Sequence, residues 1–502
     1  MRYTLRRSLL LACVLAGAAC GGDDGGGPSP PEDEGLSATG GAGQSAVAGT
    51  TLPVPYTVLV TDDADVPVPG VTIHWAAGTA AGTAAGTLSA STSVTDAAGQ
   101  ASVLHTLGAA AGTQTVSASI DGSALTPVVF STAALGAAQA VRVAAQPIPP
   151  TYGIHDTFVR DGLAFVSAWD KGLIIYDVGN GIRGGSPSRP VEVSRILPPP
   201  GAVTNMVGSI HNAWWFHNPV SNEKRYVFLG QEGPATIGSV ARGDIYAVDV
   251  SDLRHPQVVG SFGITGSGTH NFWMDEAAQV LYAAYYNAGV VAIDVSGVLS
   301  GDLSSRLIAQ VRPGGPGNTY TWGVQLANGS IYASDLLTGL WRLAPVSGGL
   351  VVLGGGQNVL ERYTSDLWVQ GAFAFTGTWG MRTDSTGQVN AGNALKVWLL
   401  LASGEPVLAD SVILADVGTV SDVEVSPSGT RVLLTTERGG AAGFFIYALD
   451  GAGHPTPVTQ VMESTGLHTG TFATIGGRDF VFAAKNPENP ALVVYDVTGA
   501  LH

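Results

Sequence analysis

The segment GIHDTFVRDGLAFVSAWDKGLIIYDV, residues 153–178, contains three short runs that favour β-strands, separated by turns that contain glycine. The first run alternates apolar and polar residues, whereas the second and third are almost wholly apolar, as in buried strands. Residues 269–295 and 321–344 repeat the same order of runs. A strand-rich repeat of about 40 to 60 residues predicts small sheets arranged around an axis.

Aligning the repeats on the residue that opens the first strand divides the region after residue 152 into seven units. These units begin at His155, His211, His270, Trp322, Ser365, Ser421 and His468. Seven four-stranded sheets around an axis form a seven-bladed β-propeller, which leaves few sheet edges exposed. Six and eight blades are the alternatives, because a hydrophilic insertion at residues 382–393 obscures the strands of the fifth unit.

The two ends of this region predict how the ring closes. The last unit stops shortly after VVYDV, too soon for a fourth strand, while AVRVAA at residues 140–145 precedes the first unit unassigned. We predict that AVRVAA supplies the outer strand of the last blade, because an unpaired edge would otherwise remain. The propeller region is therefore placed at residues 134–502.

Four units end in similar sequences: GLIIYDV, DIYAVDV, GVVAIDV and ALVVYDV. These endings resemble the LVIVD repeat, and the openings HDTF and HNFW resemble the start of that repeat. The units that begin at Trp322, Ser365 and Ser421 depart from it. The endings share an aspartate where a strand gives way to a turn, so we expect it to accept backbone hydrogen bonds. These aspartates are Asp177, Asp249, Asp294 and Asp496.

Residues 44–133 alternate short β-prone runs with turn signals, a spacing typical of a small antiparallel sandwich. The segments VPGVTI (68–73), GTLS (86–89), TDAAGQA (95–101) and AGTQTVSA (111–118) resemble the bacterial Ig-like domain of the invasin and intimin group. The resemblance implies a spacer or adhesive module without chemistry of its own. The expected fold is all-β, an Ig-like β-sandwich followed by a propeller.

The first twenty residues resemble a bacterial lipoprotein signal. Arginines precede the apolar run Leu9–Ala19, which is too short to span a bilayer, and the run leads into LAGAAC. The resemblance implies that residues 1–19 are a signal peptide and that Cys20 carries the lipid; an ordinary signal peptide is the alternative. Residues 20–43 are predicted to be a flexible acidic Gly/Pro tether.

The resemblance also gives an expected location. Gly21 follows the cysteine, which implies retention at the outer membrane of the cell envelope, on its periplasmic or surface face. The net charge of −16 disfavours nucleic acid as a partner. Contact with the membrane is expected through the lipid anchor alone.

Four of the unit starts are histidines: His155, His211, His270 and His468. The seventh blade neighbours the first in a closed ring, so these residues are expected to meet at one mouth of the central channel. Neutral imidazole is a common ligand of Cu, Fe and Zn, which makes the set a candidate metal site. The arrangement is similar to the four-histidine centre of carotenoid-cleaving oxygenases. In the alternative interpretation, each ring donates to a carbonyl of a neighbouring blade.

Aromatic residues are expected near the same mouth, and Trp214, Trp273 and Trp322 are the candidates for stacking on a ligand; packing between blades is the alternative. No nucleophile elbow or phosphate-binding loop occurs, and no catalytic residue is assigned. The sequence therefore indicates a lipid-anchored recognition protein with an unidentified protein or glycan partner. The alternative is a metal-dependent oxidoreductase or hydrolase that uses the four histidines.

Overall fold

The computed structural model describes residues 35–49, 51–52, 54–79, 85–135, 140–148, 153–200, 203, 206–233, 236–402, 404–486 and 488–501. The predicted signal peptide, Cys20 and residues 20–34 of the tether lie outside these ranges. The described chain is built of strands, with one 3₁₀ turn at Ser304–Arg306 and one short helix, α1, at Thr498–Leu501. None of its helices has the length and apolar character needed to cross a bilayer.

Residues 35–135 form two main sheets. The strands are β1 (Gly35–Gly40), β2 (Ser45–Val47), β3 (Tyr56–Thr61), β4 (Thr72–Thr79), β5 (Thr87–Leu88), β6 (Thr92–Val94), β7 (Gln100–Val103), β8 (His105–Thr106), β9 (Gly112–Ile120) and β10 (Val128–Leu135). One sheet has the order β1-β3-β7, the other β2-β10-β9-β4-β6, and β5 pairs with β8. Both main sheets contribute to one hydrophobic core, which includes Tyr56, Trp75 and Phe130.

The start of this domain differs from the expected one. Residues 20–43 were expected to be a tether, but Gly35–Gly40 forms β1 and pairs antiparallel with β3. The partly buried Leu36 packs against the shared core of the two sheets. The domain therefore begins at residue 35 or earlier, because β1 completes the edge of the three-stranded sheet.

Seven sheets follow, each built on four antiparallel strands. From the axis outward, blade 1 consists of β12 (Asp156–Arg160), β13 (Leu163–Ser167), β14 (Leu173–Asp177) and β15 (Val191–Ile196). Blade 2 consists of β16 (Ile210–Phe216), β17 (Tyr226–Gln231), β18 (Ile245–Asp249) and β19 (Gln257–Phe262), and β23 (Gly301–Asp302) pairs with β19. Blade 3 consists of β20 (Phe272–Asp275), β21 (Val280–Ala284), β22 (Val290–Asp294) and β24 (Leu307–Val311).

Blades 4 to 7 continue the ring. Blade 4 consists of β25 (Thr321–Ala327), β26 (Ser330–Asp335), β27 (Gly339–Val346) and β28 (Gly349–Gly355), and blade 5 of β29 (Tyr363–Gln370), β30 (Phe373–Trp379), β33 (Ala394–Leu399) and β34 (Val407–Ile413). Blade 6 consists of β35 (Thr419–Val425), β36 (Arg431–Glu437), β37 (Gly443–Leu449) and β38 (Pro455–Met462). Blade 7 consists of β39 (Gly470–Ile475), β40 (Arg478–Lys485), β41 (Ala491–Asp496) and β11 (Val141–Pro147). The insertion in blade 5 forms a separate hairpin of β31 (Met381–Thr383) and β32 (Val389–Ala391).

The ring closes as the sequence predicts. Strand β11, which includes most of AVRVAA, pairs antiparallel with β41 from Val141 opposite Asp496 to Pro147 opposite Ala491. The amide of Ile148 extends the ladder by donating to the carbonyl of Pro490 at 3.1 Å. The described chain thus has seven blades, and the alternatives of six and eight are excluded.

The aspartates that end the third strands accept backbone hydrogen bonds, as expected. Asp177 has the largest set, because its two carboxylate oxygens accept amides at 2.7 to 3.2 Å. The donors are Gly179, Asn180, Gly181, Arg183 and Gly185. Asp249, Asp294 and Asp496 each accept one amide, two residues further on. Burial opposes ionisation of Asp177, but these donors outweigh it and lower its pKa to about 2.

We predict that Asp177→Asn destabilises the propeller by about 2 kcal/mol, because the amide nitrogen would face two or three backbone donors. Asp294→Asn is the matched control; it should cost less than about 1 kcal/mol, since Asp294 accepts one amide. Urea denaturation at neutral pH measures both changes.

The effect of Asp177→Asn also depends on pH. Asp177 has a lowered pKa in the folded protein, so its stabilising effect is complete above its ordinary value of 3.8 and is lost as the pH falls through about 2. The difference between wild type and variant should shrink over that interval. Equal destabilisation by the two substitutions would contradict the assigned role of Asp177.

Candidate functional site

The innermost strands of several blades carry a local irregularity where the unit begins. In blades 2, 4 and 6 the strand register shifts at His211, Trp322 and Ser421, which have no partner opposite them. Such a bulge inserts one residue, so two consecutive side chains turn toward the same side of the strand. His211 and Asn212 can therefore both face the channel, on two successive levels.

The four predicted histidines meet on the first level. The rings of His211 and His270 lie 4.1 Å apart between centroids, and Nδ1 of His155 lies 3.1 Å from Nε2 of His468. His155, His211 and His468 each offer a ring nitrogen, and these nitrogens lie within 4.8 Å of one another. His211, His270 and the carboxylate of Glu232 form a second such set. We call these four imidazoles the histidine level.

In three of the rings, one nitrogen lies next to a backbone carbonyl or a carboxylate. Nδ1 of His270 donates to the carbonyl of Trp322 at 2.9 Å, and Nδ1 of His468 lies 3.1 Å from a Glu437 oxygen. Nε2 of His211 lies 3.7 Å from Glu232, which also accepts a hydrogen bond from the Tyr286 hydroxyl. Such partners orient imidazoles and fix which nitrogen carries the proton.

The charge states of the rings differ. Burial, with a further contribution from the other imidazoles, lowers the pKa of His155, His211 and His270 well below 6.5. Burial also opposes protonation of His468, but the attraction and hydrogen bond of Glu437 outweigh it and raise its pKa. Three rings are therefore neutral at pH 7 and can offer lone pairs.

Two ring nitrogens have no hydrogen-bond partner among the described residues: Nδ1 of His211 and Nε2 of His270. Both residues are buried. Since a buried polar atom without a partner is costly, these nitrogens suit a bound electrophile such as a metal ion. The donor set, imidazoles with carboxylates behind them, fits Cu, Fe or Zn.

Glu232 and Glu437 were not among the candidates from the sequence. Glu437 is the last residue of the second strand of blade 6, and Glu232 directly follows the second strand of blade 2. Trp169 and Tyr286 occupy the same repeat position in blades 1 and 3. Trp169 stacks on His155 at 4.2 Å, and Tyr286 packs 5.4 Å from His270. Comparing this position across the repeats would have drawn attention to both glutamates.

A cavity of about 120 Å³ lies next to the histidine level. It is lined by the residues that follow the unit starts, among them Asp156, Asp366 and Asp422, and by Glu424 further along its strand. We call it the channel cavity. Burial raises the pKa of Asp156 to about 7 and of Glu424 to about 8. It also raises the pKa of Asp366, and the neighbouring Asp422 raises it further.

Aromatic residues line the channel cavity on a third level. Neighbouring ring centroids lie 5.2 to 6.0 Å apart in an arc of Phe158, Trp214, Trp273 and Trp368. Trp214 and Trp273, expected near the same mouth as the histidines, line the channel cavity next to the histidine level. Trp322 does lie on the histidine level, with its ring 3.8 Å from His270. Trp214 and Trp273 lie three residues beyond their histidines.

Comparison with known proteins supports the repeat assignment. The LVIVD repeat family model matches residues 155–197, the first blade. No curated protein sequence matches the chain.

Three solved structures are similar to this chain. The β-propeller domain of Cps50 (Swd1) from Myceliophteria thermophila is 11% identical, with 72% of this chain and 100% of that chain covered and a TM-score of 0.48. A chain of a mitotic checkpoint complex is 11% identical, with 71% and 95% covered and a TM-score of 0.49. Sqt1 from Chaetomium thermophilum, bound to the N-terminus of ribosomal protein L10, is 12% identical, with 76% and 89% covered and a TM-score of 0.46.

We predict that Glu437→Gln lowers the pKa of His468 in metal-free protein, because the substitution removes the charge that stabilises the imidazolium. An NMR titration of the histidine ring protons measures the shift. Glu192→Gln, at a glutamate paired with Arg195 on an outer strand, is the control and should leave it unchanged. An unchanged His468 pKa in the Glu437 variant would show that the carboxylate does not set its protonation.

Proposed function

We propose that this chain is a cell-envelope protein whose LVIVD-repeat propeller holds one transition-metal ion on its axis. The ligands are His155, His211, His270 and His468. The observation that carries the proposal is the convergence of four largely buried imidazoles from four blades, two of which present ring nitrogens without a partner.

The chemistry of the set favours metals of borderline softness. Imidazole suits Cu, Fe and Zn, whereas Ca²⁺ and Mg²⁺ prefer oxygen ligands. Nδ1 of His468 contacts a Glu437 oxygen, and Nδ1 of His270 donates to the Trp322 carbonyl. Nε2 is therefore the nitrogen that would bind the metal ion in both rings. When bound, Cu or Fe would supply redox chemistry, and Zn would supply a Lewis acid.

The alternative interpretation, in which each ring donates to a carbonyl of a neighbouring blade, explains part of this arrangement. The ring of His270 does donate to a carbonyl of the next blade, as that interpretation expects. It does not account for the unpartnered Nε2 of the same ring or for the unpartnered Nδ1 of His211. A metal ion would satisfy these nitrogens together.

A second candidate function, recognition of a ligand, is supported by the channel cavity. Its lining is acidic at blade 6, with Asp422 and Glu424, and aromatic across the channel at blades 2 and 3, with Trp214 and Trp273. This combination suits a bound small molecule.

We predict that protein purified without a histidine tag contains about one Cu, Fe or Zn ion per chain. The double substitution His211→Ala and His270→Ala should remove it, and Glu437→Gln should weaken binding about 10- to 100-fold. Elemental analysis and metal titration measure both effects.

The matched control for metal binding is His255→Ala together with His454→Ala, because both rings are exposed and pair with exposed carboxylates. A chelator should lower the melting temperature of wild type and control but not of the His211/His270 variant. Protein that takes up no metal and melts at the same temperature with or without chelator would refute the proposed centre.

The location outside the cytoplasm is part of the proposal. It is supported by the resemblance of residues 1–20 to a lipoprotein signal, with an Ig-like module between the anchor and the propeller. The hydrophobic core shared by the two sheets of residues 35–135 is consistent with that module. The metal centre would then be held near a membrane surface without entering it.

We predict that Cys20→Ala abolishes labelling by radioactive palmitate in a bacterial host and moves the protein from the membrane to the soluble fraction. Cys13→Ala is the matched control and should change neither result, because Cys13 lies within the segment removed by cleavage. Membrane retention of the Cys20 variant would exclude a lipid at this cysteine as the anchor.

A further inference from the structure

We propose that the channel cavity binds a small alkylammonium ion, of about the size of choline, between its acidic and aromatic walls. This inference rests on the second candidate function, recognition of a ligand, and concerns different residues and a different ligand from the metal centre. It assigns a ligand class to a cavity that the metal does not use.

The charges that line the cavity favour a cation. Its lining includes the four carboxyl groups of Asp156, Asp366, Asp422 and Glu424, and none of its described lining residues is lysine, arginine or histidine. Asp422 accepts the amide of Gly470 at 2.8 Å, and Glu424 accepts that of Phe472 at 3.0 Å. Burial raises the pKa of all four groups, and His468 opposes this only at Asp156 and Asp422, so a cationic ligand would favour the ionised carboxylates.

The aromatic wall selects the kind of cation. Phe158, Trp214, Trp273 and Trp368 form a continuous arc that lines the cavity, and Trp214 and Trp273 lie in blades 2 and 3, across the ring from Glu424 in blade 6. An alkylammonium gains from aromatic side chains through cation–π attraction and through burial of its methyl groups. A divalent metal ion would find no oxygen ligand on that wall.

Unpartnered polar atoms also point to a ligand. Asn212 lines the cavity with 3% of its surface exposed, and its Oδ1 has no hydrogen-bond partner in the described chain. The Thr469 hydroxyl, on the same lining, has none either. Buried polar groups in native proteins are normally satisfied, so these two atoms mark an incompletely satisfied part of the cavity wall.

The volume sets the size of the ligand. A closed apolar cavity of about 150 Å³ admits benzene, so about 120 Å³ admits a molecule of about six or seven heavy atoms. Choline and tetramethylammonium are of this size.

The first test compares choline with 3,3-dimethylbutan-1-ol, which has the same shape without the charge. Titration calorimetry on the full chain, at a pH above the raised pKa of Glu424, should show choline binding at least tenfold more tightly than the alcohol. Equal binding of the two compounds, or no binding of choline, would overturn the proposal. Stoichiometric Ca²⁺ binding that excludes choline would overturn it as well.

Two variants locate the site. Glu424→Gln removes one charge while keeping the acceptor for Phe472, and Trp273→Leu removes one aromatic ring; each should weaken choline binding at least fivefold. Glu192→Gln is the control, at a surface ion pair away from the channel. Circular dichroism verifies that each variant folds. Wild-type affinity in both folded variants would place choline elsewhere and so overturn the proposal.

The two proposals can fail separately. The His211/His270 double variant should bind choline with wild-type affinity, because neither residue lines the cavity. Loss of choline binding in that variant, with metal-free wild type still binding, would mean that the ligand sits on the histidine level instead. Failure of the metal experiments leaves this test unaffected.

Discussion

The pairing of β11 with β41 is the interaction on which the rest of the propeller depends. It joins a strand from before the first blade to the last blade, and so it converts a row of sheets into a ring. Ring closure sets blade 7 beside blade 1 and brings His468 within hydrogen-bond distance of His155, 313 residues earlier. Without this pairing, β41 would keep an open edge and the histidine level would lose its geometry.

Given a closed ring, the channel is organised by strand geometry. Side chains alternate along a strand, and the bulge at the unit start adds one residue to the side that faces the axis. Histidines, carboxylates and aromatic rings therefore occupy three successive levels. A largely neutral set of imidazoles thus lies next to the acidic and aromatic lining of the channel cavity, and in blade 1 the two are consecutive residues, His155 and Asp156. This proximity would couple a metal ion on the histidine level to a ligand in the channel cavity.

Much of this architecture could be predicted from the sequence, because the repeat period and the closing strand depend on patterns along the chain. The histidines were found because they occupy one repeat position. Glu232 and Glu437 were missed because they belong to other strands and to no motif. The separation of Trp214 and Trp273 from the histidines along the channel was not foreseen, because the apolar pattern does not show how far along the axis each side chain lies. The edge strand β1 was missed because GLSATG has little apolar content.

Closure by an early strand has a consequence for the order of maturation. The ring cannot be completed until residues 491–496 have been synthesised, since β41 is the only partner of β11 among the described strands. Contacts across so much chain form slowly. His468 reaches His155 only in that last step. The set of His155, His211 and His468 is therefore complete only in the closed ring, whereas His211, His270 and Glu232 come together within blades 2 and 3.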